Sequence, residues 1–536
     1  MRSTTLVYLF GSLFGLSLAA PTLNGKPVEH NPVSDALNNI NSMLGQGQAT
    51  PTDNIIDRIR EDIQLVTATY LPSSPEDAAK TLSQYFATKP TPTNLATDIL
   101  NTGAQLVAAG LTTKNIGDLI NFVDGFVDGP NSMNNVNPRN PSPPVYPKAG
   151  PKDAPYSLTE AELRKVIYIP PGFKYGAPGA PNPVVLVPGT GDTGYTTFIG
   201  NLIPLLQQNP VADPVWLNIP GYQNGDIQIN SEYVAYAINY ISGISNKRNV
   251  SVAAWSQGSI NSQWAFKYWP STRCKVTDLV AFSPDYHGTI IANFAATPGI
   301  PLPPAYLQQE YNSNFVTTLR SNTGDSAYVP TTNIFSSFFD EIVEPQSGIK
   351  ASGFLLDYAR KVGVSNNEVQ KVCALQPAGT FYTHEGTLYN PLGYALFLDA
   401  LKNAGPGKPS RLNLKQVCST YLTPGLDLAD FLLTEQTIST AAASFLLYNP
   451  KLLAEPPIKS YARSPIFGPT SYTCPANGNG GGNGGNGGNG GNGGNGGNGG
   501  NGGKPPGYGS QPPAYSPPAY NPPAGYGSGS KWPKSY

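Results

Sequence analysis

The chain has 536 residues, 33 Lys plus Arg against 34 Asp plus Glu, and a formal net charge of −1. Charged residues make up only 12 %, about half the usual share, so no basic field exists to gather nucleic acid. No pair of its cysteines or histidines has zinc-ligand spacing, and neither a metal nor another cofactor is called for.

Residues 1–20 run from Arg2 through the apolar stretch Leu6 to Leu18 to the small pair Ala19 and Ala20, the layout of a secretory signal peptide. No later run is apolar enough to span a bilayer, so the mature chain is expected outside the cell, without a transmembrane anchor. From Asp35 to Phe126 short amphipathic helices are predicted, one of them carrying Ile55, Ile56, Ile59, Ile63 and Val66 at helical spacing. Another opens with Ser74 as N-cap, Pro75 at the first helical position and Glu76 with Asp77 in the first turn, and carries Leu82 and Phe86. Residues 21–129 therefore read as a helical N-terminal extension, either a pro-region or cap or a passive appendage. Between Pro130 and Pro155 stand 8 prolines in 26 residues, which marks 130–155 as a linker.

Residues 156–476 alternate short apolar runs (Val184 to Val187, Val215 to Ile219, Val250 to Ala254, Leu279 to Phe282) with helical patterns, which predicts an α/β domain whose mostly parallel sheet is flanked by helices. Thr331 to Phe339 is strand-like too. Within the helices, Val234, Ile238 and Ile241 form one core stripe and Ile260, Trp264 and Tyr268 another. Leu426 to Leu447 reads as a core helix, with the border of an acyl tunnel as the alternative. From Asn477 to Gly503 only Asn and Gly occur, followed by Pro-Pro-Ala-Tyr repeats, so 477–536 is expected to be a disordered tail, a spacer or a cell-wall tether. Asn249-Val250-Ser251 is a glycosylation sequon.

Chemistry concentrates at Ala254-Trp255-Ser256-Gln257-Gly258, between a strand pattern and a helix pattern, the context of a nucleophile elbow. Ser256 is the candidate nucleophile and needs a histidine base held by a carboxylate. Only His30, His287 and His384 exist; His30 lies in the N-terminal extension, and His287 follows the next strand too closely for an acid loop to intervene. His384 is the favoured base. Asp340, after the Thr331 strand, is the first candidate acid, with Glu341 second and Asp285 third. Oxyanion donors are expected from the backbone N–H of Gln257 and from Val187-Pro188-Gly189-Thr190-Gly191, whose glycines allow close approach and whose Thr190 adds a hydroxyl. That turn lacks the P-loop lysine and the dinucleotide glycine fingerprint.

Pro188-Gly189-Thr190-Gly191, Trp255-Ser256-Gln257-Gly258, Ser283-Pro284-Asp285-Tyr286, Pro330-Thr331-Thr332-Asn333 and Asp340-Glu341-Ile342-Val343 resemble the fungal lipase B family, the Candida antarctica lipase B type, over about 183–474. The resemblance implies an α/β-hydrolase acting on carboxylic esters, triacylglycerols included. It implies Ser256, Asp340 and His384 as triad, with Thr190 and Gln257 as oxyanion donors. It further implies Trp255 as floor of the alcohol-side pocket, Asp285 and Gln309 as its polar wall, and Ile342 as its apolar wall. Cys373 and Cys418 match a family disulfide. Ala454 and Val215 stand where the family has cysteines, so whether Cys274 and Cys474 pair with each other instead is left open for geometry to decide. Asp192 replaces an uncharged residue in the oxyanion loop, where its charge would disfavour anionic groups, and prolines in the lid segment 289–304 (Pro298, Pro301, Pro303, Pro304) would alter its opening. The expected partner is an ester or lipid substrate; a short-chain esterase or polyesterase, and a cell-wall structural protein, are the rival readings.

Overall fold

The computed structural model describes residues 71–88, 110–111, 129–295, 299, 301–464 and 471–474. The signal-peptide segment, most of the N-terminal extension and the tail lie outside the described residues. Of the extension, helix α1 (Pro75–Thr88) forms as its sequence predicts: Ser74 Oγ accepts from the Asp77 backbone N–H at 3.2 Å. Its Ala78 and Leu82 are fully buried.

Seven strands make one sheet in the order β1-β3-β2-β4-β5-β6-β7. They are β1 (Ile167–Tyr168), β2 (Asn182–Val187), β3 (Ala212–Leu217), β4 (Val250–Trp255), β5 (Val276–Phe282), β6 (Thr331–Phe335) and β7 (Val364–Glu368). All neighbours pair in parallel except β1, which runs antiparallel to β3. Because strand side chains alternate between faces, the apolar runs divide into two cores. Val185, Val187, Val252, Ala254, Leu279 and Ala281 enter one; Val184, Leu186, Ala253, Trp255, Val280 and Phe282 enter the other. Burial on both faces is why these runs are continuously apolar.

Helices α2 (Ile227–Ile244) and α3 (Gln257–Tyr268) pack on the first face, and α4 (Pro391–Lys402) packs on the second. Helix α5 (Leu428–Leu447) starts at a capping box in which Asp427 accepts from the Ala429 and Asp430 backbone N–H groups. On α2 the predicted stripe is buried, but so are Asn230, Ser231 and Glu232. Glu232 is covered by Ser157 and Leu158, whose backbone N–H groups donate to its Oε2 at 2.6 and 3.3 Å, and the C-terminal half of α2 is covered by the proline-rich segment expected as a linker. Val145 and Ala154 join the core, the Arg139 carbonyl accepts from Tyr240 Oη, and Pro141 lies where a Cβ on Gly243 would fall. Residues 129–155 therefore pack as an outer layer, fixed by hydrogen bonds that no periodicity reveals.

Two further differences from expectation concern strands. The strand from Thr331 stops at Phe335 rather than Phe339, since Ser337 takes a φ of 46° and a short 3₁₀ turn follows. Strand β7 (Val-Ser-Asn-Asn-Glu) has no apolar signal; it is held by amides, Asn333 Nδ2 donating to Asn366 Oδ1 at 2.8 Å and Asn367 Nδ2 to the Asn333 carbonyl at 3.0 Å. Two disulfides tie the outer loops, Cys274–Cys474 and Cys373–Cys418, with Cα–Cα distances of 5.6 and 5.4 Å.

Candidate active site

Strand β4 ends at Trp255 and α3 begins at Gln257, leaving Ser256 alone in the turn with φ 52° and ψ −127°. A non-glycine residue at positive φ is strained, and a sharp strand-to-helix turn is where such strain is held by its surroundings. Here the surroundings are tight. A Cβ on Gly258 would stand 2.5 Å from the Val187 carbonyl oxygen and 2.7 Å from that of Pro188, so the helix start lies directly against the end of β2. A Cβ on Gly189 would meet the Trp255 ring at 2.5 Å. As the first residue of α3, Gln257 presents a backbone N–H that lacks an intrahelical acceptor.

The loop after β6 carries Asp340, whose fully buried carboxylate faces His384: Nδ1 lies 3.0 Å from Oδ1 and 2.9 Å from Oδ2. Asp340 Oδ1 also accepts from the backbone N–H groups of Ile342 (3.1 Å) and Val343 (2.7 Å), which fix the carboxylate's direction. His384 Nε2 is buried and has no protein partner. Burial alone lowers the imidazole's pKa, yet the charge and hydrogen bond of Asp340, with Glu341 and Asp285 behind them, hold it above 6.5. The main chain of His384 is clamped as well. Its N–H donates to Glu341 Oε2 at 2.9 Å, and its carbonyl accepts from Ser283 Oγ at 2.6 Å and Trp255 Nε1 at 3.3 Å. The Trp255 and His384 rings are 5.1 Å apart.

Of the three acid candidates, then, Asp340 bonds the ring and Glu341 bonds the backbone of the same histidine. Asp285, after β5, has both carboxylate oxygens buried and unpartnered, and burial pushes its pKa up to about 7. The other described histidine, His287, is held down to about 3 by burial and by the like charge of Arg320, the wrong neighbour for a base.

Thr190, Gln257 and Gln309 form one hydrogen-bonded group. Thr190 Oγ1 donates to Gln257 Oε1 at 2.6 Å and accepts from Gln309 Nε2 at 3.0 Å, while Gln257 Nε2 donates to the Gln223 carbonyl at 3.1 Å. Helix α5 closes this corner: a Cβ on Gly191 would fall 2.5 Å from Ala441, and Ser444 Oγ donates to the Gly191 carbonyl at 2.9 Å. Ile342 sits beside Asp340, its carbonyl accepting from Thr289 Oγ1 at 2.9 Å. Asp192, read as a charge in the oxyanion loop, is fully buried with a single bond from Thr196 Oγ1. Burial lifts its pKa well above the ordinary carboxylate value, which favours the neutral form and weakens the repulsion expected of its charge. The lid segment is tied at both ends, Ile290 N–H donating to the Glu344 carbonyl and Leu302 pairing with Leu452. Asn249 is exposed just ahead of β4. Ser283 stood in the sequence only as part of the Ser283-Pro284-Asp285-Tyr286 motif, with no role assigned to it.

A serine on a strained strand-to-helix turn at the carboxyl end of a mostly parallel sheet, with the preceding Trp255 packed against a histidine held by a buried aspartate, defines the α/β-hydrolase architecture. No family model matches the chain. It is 34 % identical over 289 residues to lipase B of Pseudozyma antarctica, covering 52 % of this chain and 79 % of that relative. A crystal structure of Aspergillus fumigatus lipase B shares 43 % identity, superposes with a TM-score of 0.70, and covers 80 % of this chain and 99 % of that one. The chain belongs to the lipase B family and is a carboxylic ester hydrolase.

Proposed function

We propose that the protein is a secreted triacylglycerol lipase working through a Ser-His-Asp acyl-enzyme. The observation that carries the mechanism is the His384 ring, bound on Nδ1 by Asp340 and free of protein partners on Nε2, beside the Ser256 elbow. His384 Nε2 takes the Ser256 proton as Oγ attacks the ester carbonyl, and Asp340 stabilises the imidazolium and fixes the tautomer. The oxyanion receives the Gln257 backbone N–H and the Thr190 hydroxyl, whose proton turns from Gln257 Oε1 toward the new charge. The imidazolium then protonates the leaving alkoxide, and a water activated by the same nitrogen releases the acid and regenerates Ser256.

Trp255, Asp285, Gln309 and Ile342 are the assigned substrate-side residues, and Thr190 with Gln257 the oxyanion pair. Secretion is supported by the signal-like first 20 residues and by two disulfides; Asn249, exposed in a sequon, is the glycosylation site that goes with it. The test is an ester chain-length series that includes emulsified triacylglycerol, run on wild type and Ser256→Ala. Activity confined to short soluble esters would replace lipase by esterase, and wild-type turnover in Ser256→Ala would remove the mechanism.

A further inference from the structure

Behind His384 lies a group of carboxyls that the hydrolytic mechanism leaves unused. Glu385 and Glu435 are fully buried. Glu435, in the middle of α5, accepts at Oε1 from Tyr389 Oη (2.8 Å) and Thr383 Oγ1 (3.1 Å), so the helix is bonded to the residues flanking the histidine. Glu435 Oε2 and both oxygens of Glu385 are buried and make none of the described hydrogen bonds, while the two carboxyls face each other closely enough to interact. A buried carboxylate without donors is costly, and two side by side cannot both ionise.

We propose that Glu385 carries a proton and shares it with Glu435, and that this acid pair is a positioning device which locks the His384 loop to helix α5. The proposal rests on His384 being the base. Glu385 is the donor and Glu435 Oε2 the acceptor, since Glu435 Oε1 already collects the Tyr389 and Thr383 hydroxyls. One shared proton therefore gives both orphaned carboxyls a partner. Loss of that proton leaves two adjacent carboxylates, whose repulsion drives α5 from the loop that places the imidazole.

Facing the pair are Glu341 from the loop after β6 and the phenols of Tyr389 and Tyr421; Asp340 and His384 are neighbours of Glu341, and Asp285 is a further neighbour of His384. Burial raises Glu385 well above the ordinary carboxyl range, with Glu341 and Glu435 adding to it, and raises Glu435 to about 7. Both directions favour the protonated form of the pair.

The test compares pH profiles of kcat for wild type, Glu385→Gln and Glu385→Ala on a soluble ester. Wild-type kcat should fall on the alkaline side as the shared proton leaves. Glu385→Gln, whose amide still donates to Glu435 and cannot ionise, should move that fall upward by about one pH unit or more. Glu385→Ala, with no donor, should lose on the order of 10- to 100-fold in kcat at pH 7, with KM little changed, and Glu385→Gln should recover most of it. A second arm is independent of catalysis: in a Ser256→Ala background, Tm is followed against pH. A folded-state carboxyl with raised pKa gives stability that is full below its unfolded value near 4.5 and is lost as pH rises through the folded value. The Tm decline above pH 4.5 should accordingly be shallower when Glu385→Gln is added. Superimposable alkaline limbs and superimposable Tm curves would overturn the proposal. Should Ser256→Ala retain wild-type turnover, the serine mechanism fails instead and the Tm arm alone decides about the pair.

Discussion

Replacing Asp340 by Asn tests the centre of the site with almost no change in volume. The carboxylate is fully buried and makes two contacts to His384 Nδ1, at 3.0 and 2.9 Å, and two to backbone N–H groups. In the Asp340→Asn variant the side-chain carbonyl oxygen can satisfy Ile342 and Val343, which turns the amide nitrogen toward His384 Nδ1. That nitrogen donates, so the ring must accept at Nδ1 and carry its proton on Nε2, the wrong tautomer to receive one from Ser256. The variant also loses the charge opposite the imidazolium. At 2.9 Å and an effective dielectric of about 20 that attraction is about 6 kcal/mol, equivalent to about four decades in rate. The assay is kcat/KM for a soluble ester near pH 8, with circular dichroism and Tm to show that the fold persists. A folded Asp340→Asn enzyme within tenfold of wild type would refute the reasoning. Glu341→Gln is the matched control: its amide oxygen still accepts from the His384 backbone N–H, so it should lose less than about tenfold.

The other predictions concern the elbow and the pH range. Gly258→Ala sets a methyl 2.5 Å and 2.7 Å from two backbone carbonyl oxygens, atoms that cannot swing aside; it should cost about 1–3 kcal/mol of stability, and a shift of the elbow by about 1 Å should cost on the order of 100-fold in kcat. Unchanged Tm and kcat in that variant would show that α3 is not wedged against β2. On the acid side, His384 must be neutral to accept the serine proton, so kcat should fall as pH drops through a value above 6.5. The same raised pKa contributes stability that is full below 6.5 and is lost as pH rises through the folded value, so activity grows as this contribution disappears. An acid limb centred well below 6.5 would contradict the environment of His384.

Much of this architecture was legible along the chain. The apolar runs of β2 to β5 declare themselves because burial on both faces of a parallel sheet permits no polar alternation. Helix α1 announces its start through Ser74 and Pro75, whose cap chemistry is local. Strand β7 stayed hidden, since amide-to-amide bonds with β6 replace apolar packing. The Pro130 to Pro155 segment was misleading for a related reason: proline density reports backbone stiffness and says nothing of whether Tyr240 or Trp216 will reach its carbonyls.

The sequence by itself determined the placement of Ser256 at a strand-to-helix turn, the order of candidate serine, acid and histidine, and a base search narrowed by only three histidines. Those features follow from backbone sterics and residue spacing, which act over a few neighbours. Only the tertiary structure decided which carboxylate meets the His384 ring, that Glu341 holds its backbone instead, that Asp192 is fully buried, and that Glu385 and Glu435 stand together behind the loop. Each of these depends on desolvation and on partners dozens of residues distant, as with Glu435 and Thr383. The cost of burying a charge is set by the atoms that surround it after folding, and the identity of those atoms is not written in the residues on either side.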